Sequence, residues 1–202
     1  MGRISNAKER LLGAANDLIW EQSYGAVTVD AICRRAKVQK GSFYHFFNGK
    51  SELAVASLEA DWQARRPQLE EVFSRELPPL ERFERFFQHV YECQKRLKKE
   101  RGYVLGCPLF NLGSEVCTRD QKIRRKVLEL INGYIRYFES AIRDAQHEGL
   151  IAGDSAALKA RWLFSYFEGA LAQARIENDA SSLRGVGNVA LQLLGAKLAL
   201  AA

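Results

Sequence analysis

The sequence predicts an all-α fold, and three observations support this prediction. The chain of 202 residues contains only four prolines, the residue that most strongly interrupts a helix. Apolar residues recur at intervals of three and four along most of its length, which is the spacing of a helix with one apolar face. No segment alternates apolar and polar residues between turn signals, so we predict no strands.

Each predicted helix lies between recognisable end signals. The first covers about Ala7 to Gln22 and follows Asn6, which is spaced from Glu9 as in a capping box. The hydroxyl of Thr28 can accept a backbone N–H and so cap the second helix. The remaining helices are predicted over roughly 29–36, 41–47, 49–75, 79–100, 109–117, 121–148, 154–177 and 182–200.

Positive charge is concentrated near the N-terminus. The whole chain carries a formal net charge of +6. Residues 1–50 hold eight Lys and Arg against four acids, a net charge of +4, whereas the rest of the chain carries +2. This asymmetry indicates that the first quarter of the chain binds an anionic partner.

The second and third predicted helices, joined by a turn at 37–39, are typical of a helix-turn-helix. In the third, Phe43 and Phe47 lie four residues apart on one face and are expected in the core. A helix of seven residues cannot bury all of its aromatic side chains. We therefore expect Ser42, Tyr44 and His45 at the surface, where they can bond phosphates and base edges.

The residues around this helix favour the same interpretation. Lys40 and Lys50 flank it on both sides, as phosphate-binding residues would. Gly41 removes a side chain where the positive end of the helix would approach a DNA backbone. Taken singly, the two lysines are typical of solvated surface and Tyr44 of packing. It is their joint spacing that favours DNA binding.

The stretch from Leu11 to Leu53 resembles the DNA-binding domain of the TetR family of transcriptional regulators nearly position by position. The matching residues are Leu11-Leu12-Gly13-Ala14-Ala15, Leu18-Ile19, Tyr24, Thr28-Val29-Asp30-Ala31-Ile32-Cys33, Ala36-Lys37-Val38-Gln39-Lys40-Gly41-Ser42-Phe43-Tyr44, Phe47 and Lys50-Ser51-Glu52-Leu53. The chain beyond this stretch has the length and helical pattern of the family but little diagnostic sequence.

This resemblance implies a helix-turn-helix DNA-binding domain at 1–53 and a helical ligand-binding and dimerisation domain at 54–202. It also implies a homodimer on a roughly palindromic operator in double-stranded DNA, and a small-molecule effector whose binding releases the DNA. Repression is the commoner mode of the family. The residues expected to contact DNA are Thr28, Gln39, Lys40, Gly41, Ser42, Tyr44, His45 and Lys50.

Three positions depart from the family pattern. Lys37 stands where the family prefers a turn glycine, so a left-handed backbone there would carry strain. Ser23 stands where a helix-ending glycine is common, and Phe46 where a histidine or tyrosine often contacts phosphate. His45 either replaces the missing contact in part or is plain surface.

The last two predicted helices are the expected dimer interface. Their apolar faces comprise Trp162, Leu163, Tyr166, Phe167, Ala170 and Leu171 on one and Val186, Val189, Ala190, Leu193, Leu194 and Leu198 on the other. Burial within a single chain is the alternative. Two such faces at the end of the chain favour a four-helix interface between two copies.

The segment from Gly106 to Glu115 combines glycine, cysteine, proline and asparagine, and similar segments begin a short helix beside the ligand cavity in a branch of the family. Asn111 either directs a ligand or caps the helix. Cys107 either senses electrophiles or oxidants, as in some family members, or is a small buried hydrophobe. The expected ligand-binding residues are Cys107, Phe110, Asn111, Tyr91, Trp162, Tyr166 and Phe167, although an aromatic stripe is also typical of a core.

The sequence therefore predicts a ligand-responsive transcriptional regulator. Two alternatives stay open: a cysteine-based redox or electrophile sensor of the same fold, and a helical ligand-binding dimer without DNA function. An enzyme is not expected, because the three histidines are isolated and no HExxH, GxSxG or glycine-rich phosphate loop occurs.

The rest of the composition excludes further classes. The four cysteines lack CxxC spacing, so no metal or other cofactor is expected. No signal peptide and no run of 18 apolar residues is present, so we expect no membrane association and a location in the reducing cytoplasm.

Overall fold

A computed structural model describes residues 5–153 and 155–197, and across these residues the protein is helical with no strand. The helices are α1 Ser5–Glu21, α2 Val29–Ala36, α3 Lys40–Phe46, α4 Lys50–Val72, α5 Pro79–Arg101, α6 Pro108–Val116, α7 Gln121–His147, α8 Ala156–Glu177 and α9 Val186–Leu193, with a 3₁₀-helix at Ala180–Leu183. The predicted all-α class is confirmed. In this part of the chain, no helix is long and apolar enough to cross a membrane.

The prediction of one helix at 182–200 is wrong, because this stretch is neither continuous nor bounded as predicted. A 3₁₀-helix comes first, and α9 begins only after Gly185, whose φ is +75°. The chain leaves α9 at Gly195, whose φ is +70°. Glycine adopts such angles readily, so Gly185 and Gly195 mark the two ends of a short helix. The prediction relied on apolar spacing alone and therefore made this helix too long. Leu198, assigned above to this helix, lies outside the described residues.

The described chain forms two compact units. One comprises residues 5–65 and 108–130, and the other comprises residues 66–107 and 131–197. Helix α6 and the first part of α7 therefore belong to the same unit as the three N-terminal helices. The domain boundary predicted after residue 53 stays a prediction.

The first unit has a core that fixes α1, α2 and α3. Leu11, Ile32, Phe43, Leu53 and Ile123 are all fully buried. Each comes from a different helix, so α1, α2, α3, α4 and α7 all contribute a side chain to the interior of this unit. Burial of an aliphatic or aromatic side chain of this size contributes roughly 1.5–3 kcal/mol.

The second unit has an aromatic core. The ring centroid of Phe86 lies 5.2 Å from those of both Phe138 and Phe167, with edge-to-face geometry in each pair. Phe73 and Phe83 extend the cluster, with centroids 6.0 Å apart. Edge-to-face pairs place the positive edge of one ring against the negative face of another. The cluster thereby ties α5, α7 and α8 together.

Arg82 is the buried cation of this unit. Its Nε donates to the carbonyl of Leu77 at 2.9 Å, and its Nη1 donates to the carboxylate of Asp144 at 2.5 Å. A buried guanidinium is tolerated because hydrogen bonds and an opposite charge replace its water. Arg82 therefore joins the start of α5 to the end of α7.

Glu168 is buried without such compensation. It is 2 % exposed, and within the described chain neither carboxyl oxygen receives a hydrogen bond from an N–H or O–H donor. Burial raises the pKa of Glu168 from 4.5 to about 7, while the neighbouring thiol of Cys107 acts in the opposite direction. The carboxyl therefore takes up a proton near neutral pH.

A Glu168→Gln substitution tests this ionisation. The pKa of Glu168 is higher in the folded chain than its ordinary value of 4.5. Its preference for the proton therefore stabilises the fold fully below about pH 4.5, and this contribution is lost as the pH rises to about 7. Relative to E168Q, we expect the free energy of unfolding of the wild type to fall by roughly 2 kcal/mol between pH 5 and pH 8. Urea titrations at both pH values measure the difference. E177Q, at an exposed site of the same helix, should show none of it, and a pH-independent E168Q effect would contradict the assignment.

Candidate nucleic-acid interface

The turn between α2 and α3 is closed by local hydrogen bonds. The Thr28 hydroxyl accepts from the N–H of Ala31 at 3.1 Å, which confirms the predicted cap. Lys37, the residue that follows α2, is left-handed with φ 53° and ψ 47°. Arg10 donates to the Lys37 carbonyl at 3.3 Å. The expected strained lysine is therefore present, and a bond from α1 helps to hold it.

Helix α3 divides its side chains between core and surface. Phe43 and Phe47 are buried, whereas Tyr44 is 54 % exposed. The Tyr44 ring packs edge-on against Phe43 with centroids 5.0 Å apart. Ser42 and His45 are exposed as well. Tyr44 is thus oriented by the core while much of it remains accessible, which suits a side chain that contacts an external partner.

Gly41 has no role inside the chain that explains a glycine. A Cβ atom at this position would meet no atom of the described residues within 4 Å, and the backbone conformation is one that any residue adopts. Glycine inside a helix costs roughly 0.5–1 kcal/mol relative to alanine. Nothing in the described chain accounts for a glycine at this position, and the same is true of Gly13 in α1 and Gly169 in α8.

Lys40 forms an exposed ion pair. Its ammonium lies 2.9 Å from the carboxylate of Asp30, and the hydrogen bond to that carboxylate raises the pKa of Lys40. Exposed pairs of this kind are weak and screened by salt. A phosphate can replace the carboxylate at little cost, so the pair keeps Lys40 beside the first turn of α3 and still available. Gln39, which precedes it as the N-cap residue, is exposed.

Lys50 has a structural task that the sequence did not indicate. Its ammonium donates to the carbonyls of Tyr24 and Val27, each at 2.7 Å, and lies 4.1 Å from the centroid of the Tyr24 ring. Burial lowers the pKa of Lys50, and the Glu115 carboxylate acts in the opposite direction. Two of its three hydrogens are used here. Its predicted phosphate contact stays a prediction.

Glu115 holds the same loop from the other side. Its carboxylate accepts the N–H of Tyr24 at 2.8 Å and that of Gly25 at 2.6 Å. A Cβ on Gly25 would lie 3.0 Å from this carboxylate, so glycine permits the close approach. We call Glu115, Lys50 and the loop 24–27 the loop clamp. Sequence analysis missed it, because Glu115 lies about 90 residues from its partners.

The residues predicted to bind a ligand fall in both compact units, and their shared role stays a prediction. Phe110 and Asn111 lie in the first compact unit, whereas the other five lie in the second. Phe167 belongs to the aromatic core, and Trp162 is 60 % exposed. Cys107 is half-buried beside Glu168, and Tyr166 is also half-buried, which raises its pKa.

Two cavities lie near predicted ligand residues. Tyr91 lines an open groove of about 810 Å³ between α5 and residues 183–188, and its hydroxyl accepts from Arg184 Nε at 2.9 Å. This groove also contains Glu81, Arg85 and His89. Its lining mixes charged and apolar side chains and is open to solvent, unlike the enclosed, mainly apolar pocket that is typical of ligand sites. Trp162 lines a smaller cavity of about 150 Å³.

The residues of the predicted dimer face fall into a buried set and an exposed set. Leu163, Phe167, Leu171, Val186, Ala190 and Leu194 are buried within the protomer. Trp162 and Leu193, in contrast, are 60 % and 63 % exposed. Leu158 and Val189, each four residues earlier in the same helix, are exposed as well. Large apolar side chains left exposed on adjacent elements are typical of an interface.

A short exposed helix with a capped, tight turn before it defines a helix-turn-helix protein of the DNA-binding regulator class. Family models agree with this assignment. The model described as bacterial regulatory proteins, tetR family, matches residues 11–56. The model described as tetracyclin repressor-like, C-terminal domain, matches residues 79–189, more than half of the chain. The chain belongs to the TetR family of transcriptional regulators, which are not enzymes.

Individual relatives give the same result. The chain is 30 % identical over 177 residues to the transcriptional regulator AcuR of Cereibacter sphaeroides, covering 86 % of this chain and 78 % of the relative. It is 26 % identical over 182 residues to the HTH-type transcriptional repressor NemR of Escherichia coli, covering 88 % of each.

Solved structures match over nearly the whole chain. A regulatory protein TetR from Rhodobacter sphaeroides superposes with a TM-score of 0.82 at 26 % identity, covering 93 % of this chain and 98 % of that one. The reduced form of E. coli NemR superposes with a TM-score of 0.79 at 20 % identity, covering 96 % of this chain and all of that one, and this likeness concerns the fold alone.

A Gly41→Ala substitution should change the stability of the fold and the affinity for DNA in opposite directions. Because nothing in the described chain opposes a methyl group there, we expect the free energy of unfolding to rise by roughly 0.5–1 kcal/mol. Affinity for DNA should fall, since the methyl group would stand between helix and backbone. Chemical denaturation and fluorescence anisotropy measure the two effects. Gly13→Ala, at an exposed position of α1 with equal space, is the control. Unchanged affinity in G41A would remove Gly41 from the interface.

Glu115→Gln tests the loop clamp. The amide loses the charge that strengthens both bonds, so we expect the amides of Tyr24 and Gly25 to exchange hydrogen faster. We also expect a loss of stability of about 1–2 kcal/mol. Hydrogen exchange resolved by residue and urea titration provide the readouts. Glu129→Gln, which affects a surface ion pair with Lys126, should change neither amide. Equal exchange in E115Q and the wild type would show that the clamp does not hold the loop.

Proposed function

We propose that the protein is a homodimeric repressor that binds a palindromic operator through α3 and is released by a small-molecule effector. One observation carries the proposal. The exposed surface of α3 presents Gln39, Lys40, Ser42 and Tyr44 around a glycine that the protomer itself does not require. A partner that approaches the helix backbone closely supplies the missing reason.

The chemistry of these residues fits a DNA groove. Tyr44 and Ser42 carry hydroxyls for phosphates or base edges, and Gln39 carries an amide that can pair with adenine. Lys40 exchanges the Asp30 carboxylate for a phosphate. The Thr28 hydroxyl accepts a backbone N–H and keeps its own hydrogen for a phosphate oxygen. His45 is placed to add one contact from the same exposed helix.

The proposed dimer uses the exposed parts of α8 and α9. Trp162 and Leu193 with their exposed apolar neighbours would be covered by the same residues of a second copy, as two-fold symmetry requires. A two-fold dimer places two recognition helices about 34–36 Å apart, one turn of B-DNA. The two-fold symmetry is the reason to expect a palindromic operator, and the spacing sets the distance between its half-sites.

Repression and effector release rest on the relatives. NemR is named a repressor, and so is DhaR of Mycobacterium sp., which is 23 % identical over 178 residues. The second family model spans the part of the chain in which we place effector binding. We place the protein in the cytoplasm with the DNA that it binds.

Tyr44→Ala and Lys40→Ala test the interface separately. We expect Tyr44→Ala to weaken operator binding by about 1–3 kcal/mol with little change in salt dependence. Lys40→Ala should lower the slope of log affinity against log salt by about 2 for the dimer, about 1 for each half-site. Anisotropy titrations with an operator selected from genomic fragments, at several salt concentrations, give both values.

Tyr103→Ala and Lys99→Ala are matched controls, because both residues are exposed and lie in the other compact unit. They should bind as the wild type does. Full affinity in both α3 variants would exclude α3 as the recognition helix. If no fragment is retained even at low salt, the chain is a helical ligand-binding dimer instead.

A further inference from the structure

Lys37 holds a strained backbone in the turn between α2 and α3. Its φ of 53° and ψ of 47° are left-handed, a conformation that glycine adopts readily and residues with a Cβ rarely do. The turn is closed through this conformation. The N–H of Lys37 donates to the Arg34 carbonyl at 3.2 Å, and the next N–H along the chain donates to the Cys33 carbonyl at 3.0 Å. A glycine would form the same turn with less strain.

Asn178 is the other non-glycine residue with a positive φ in the described chain, and its conformation serves contacts within the protomer. Its Oδ1 accepts the N–H of Val104 at 2.9 Å, and its Nδ2 donates to the Gly102 carbonyl at 3.3 Å. Asparagine also tolerates a left-handed backbone better than lysine does. The Lys37 side chain, in contrast, is exposed, and among the described residues its ammonium has no hydrogen-bond or ion-pair partner. Nothing in the described chain therefore offsets the strain of a lysine in this turn.

The surroundings of Lys37 are positively charged. Arg10 donates to its carbonyl at 3.3 Å, and Arg34 lies three residues before it in the last turn of α2. Both arginines are exposed, and within the part of the chain that the structure describes neither forms an ion pair with a carboxylate. Lys40, in contrast, is paired with Asp30. The charges around the turn are thus free to attract an anion.

We propose that the Lys37 ammonium binds a phosphate of the DNA backbone and so adds a contact from the turn to those made by α3. In a helix-turn-helix complex, the N-terminal residues of the recognition helix reach the bases while the preceding helix crosses the phosphate backbone. The turn that joins these two helices therefore lies near phosphates. The strained lysine then has its reason in the complex with DNA.

This contact positions the helix-turn-helix on the duplex and reads no sequence, as is general for contacts to phosphate. The inference rests on the proposed function and adds to it a chain-specific source of affinity, because lysine here replaces the residue that the turn itself favours.

Lys37→Gly and Lys37→Ala separate the effect of the backbone from that of the charge. Glycine removes both the strain and the ammonium, so we expect the midpoint of urea denaturation to rise while operator affinity falls. Alanine removes the ammonium but keeps a Cβ, so its urea midpoint should stay near that of the wild type. In both variants, the slope of log affinity against log salt should fall by about 2 for the dimer. Between about 50 and 200 mM salt, the wild type should therefore lose about tenfold more affinity than either variant.

Two controls use the same anisotropy titrations. Lys37→Arg keeps the charge and should keep the wild-type slope. Lys99→Ala removes an exposed lysine of the other compact unit and should also leave the slope unchanged. An unrelated duplex provides a further comparison. K37G and K37A should weaken binding to it by the same factor as binding to the operator, because a phosphate contact carries no sequence information.

A wild-type salt slope in K37A would overturn the proposal, and so would a loss of affinity in K37A that is confined to the operator. Tyr44→Ala distinguishes these results from failure of the proposed function. If Y44A weakens operator binding while K37A keeps the wild-type slope, only the Lys37 contact is excluded. If the wild type binds no duplex even at low salt, the Lys37 contact is excluded together with the proposed function.

Discussion

The placement of α3, the proposed recognition helix, depends on how the loop between α1 and α2 is held. This loop bonds through its backbone: Glu115 accepts two of its N–H groups, and Lys50 donates to two of its carbonyls. Backbone groups that are lost from a helix must find partners elsewhere, and here two opposite charges supply four of them. Because α2 begins directly after this loop, the clamp determines where α2 starts and therefore how the turn to α3 is presented.

Two glycines of the first compact unit show how internal and external requirements can be separated. Gly25 is favoured by the protein itself, since a Cβ there would lie 3.0 Å from the carboxylate that holds the loop and would push it back. Gly41 meets no such neighbour in the described chain, although it weakens α3. A residue that lowers local helix stability without an internal benefit is typical of a functional surface. What distinguishes Gly41 from the equally open Gly13 is its position among the exposed Ser42 and Tyr44 of the proposed interface.

Local signals predicted local structure well. The Thr28 cap, the left-handed Lys37 and the division of α3 between Phe43 and Tyr44 all follow from residues a few positions apart. Long-range pairings could not be predicted, because nothing in the spacing of Glu115 or Gln94 identifies partners in distant segments. Glu168 did carry a signal: it lies four residues after Phe164 and three before Leu171, on a buried face where an acid is unusual.

Helix α6 separates Cys107 from the loop clamp along the chain. Cys107 directly precedes Pro108, the first residue of α6, and Glu115 lies near the end of the same nine-residue helix. A helix of this length spans about 13 Å. The acid that holds the loop before α2 therefore lies fewer than three helical turns from the segment that Gln94 binds through the backbone of Leu105 and Gly106. Both segments are held by side chains that bond backbone groups, which is how residues outside regular helices keep their polar groups satisfied.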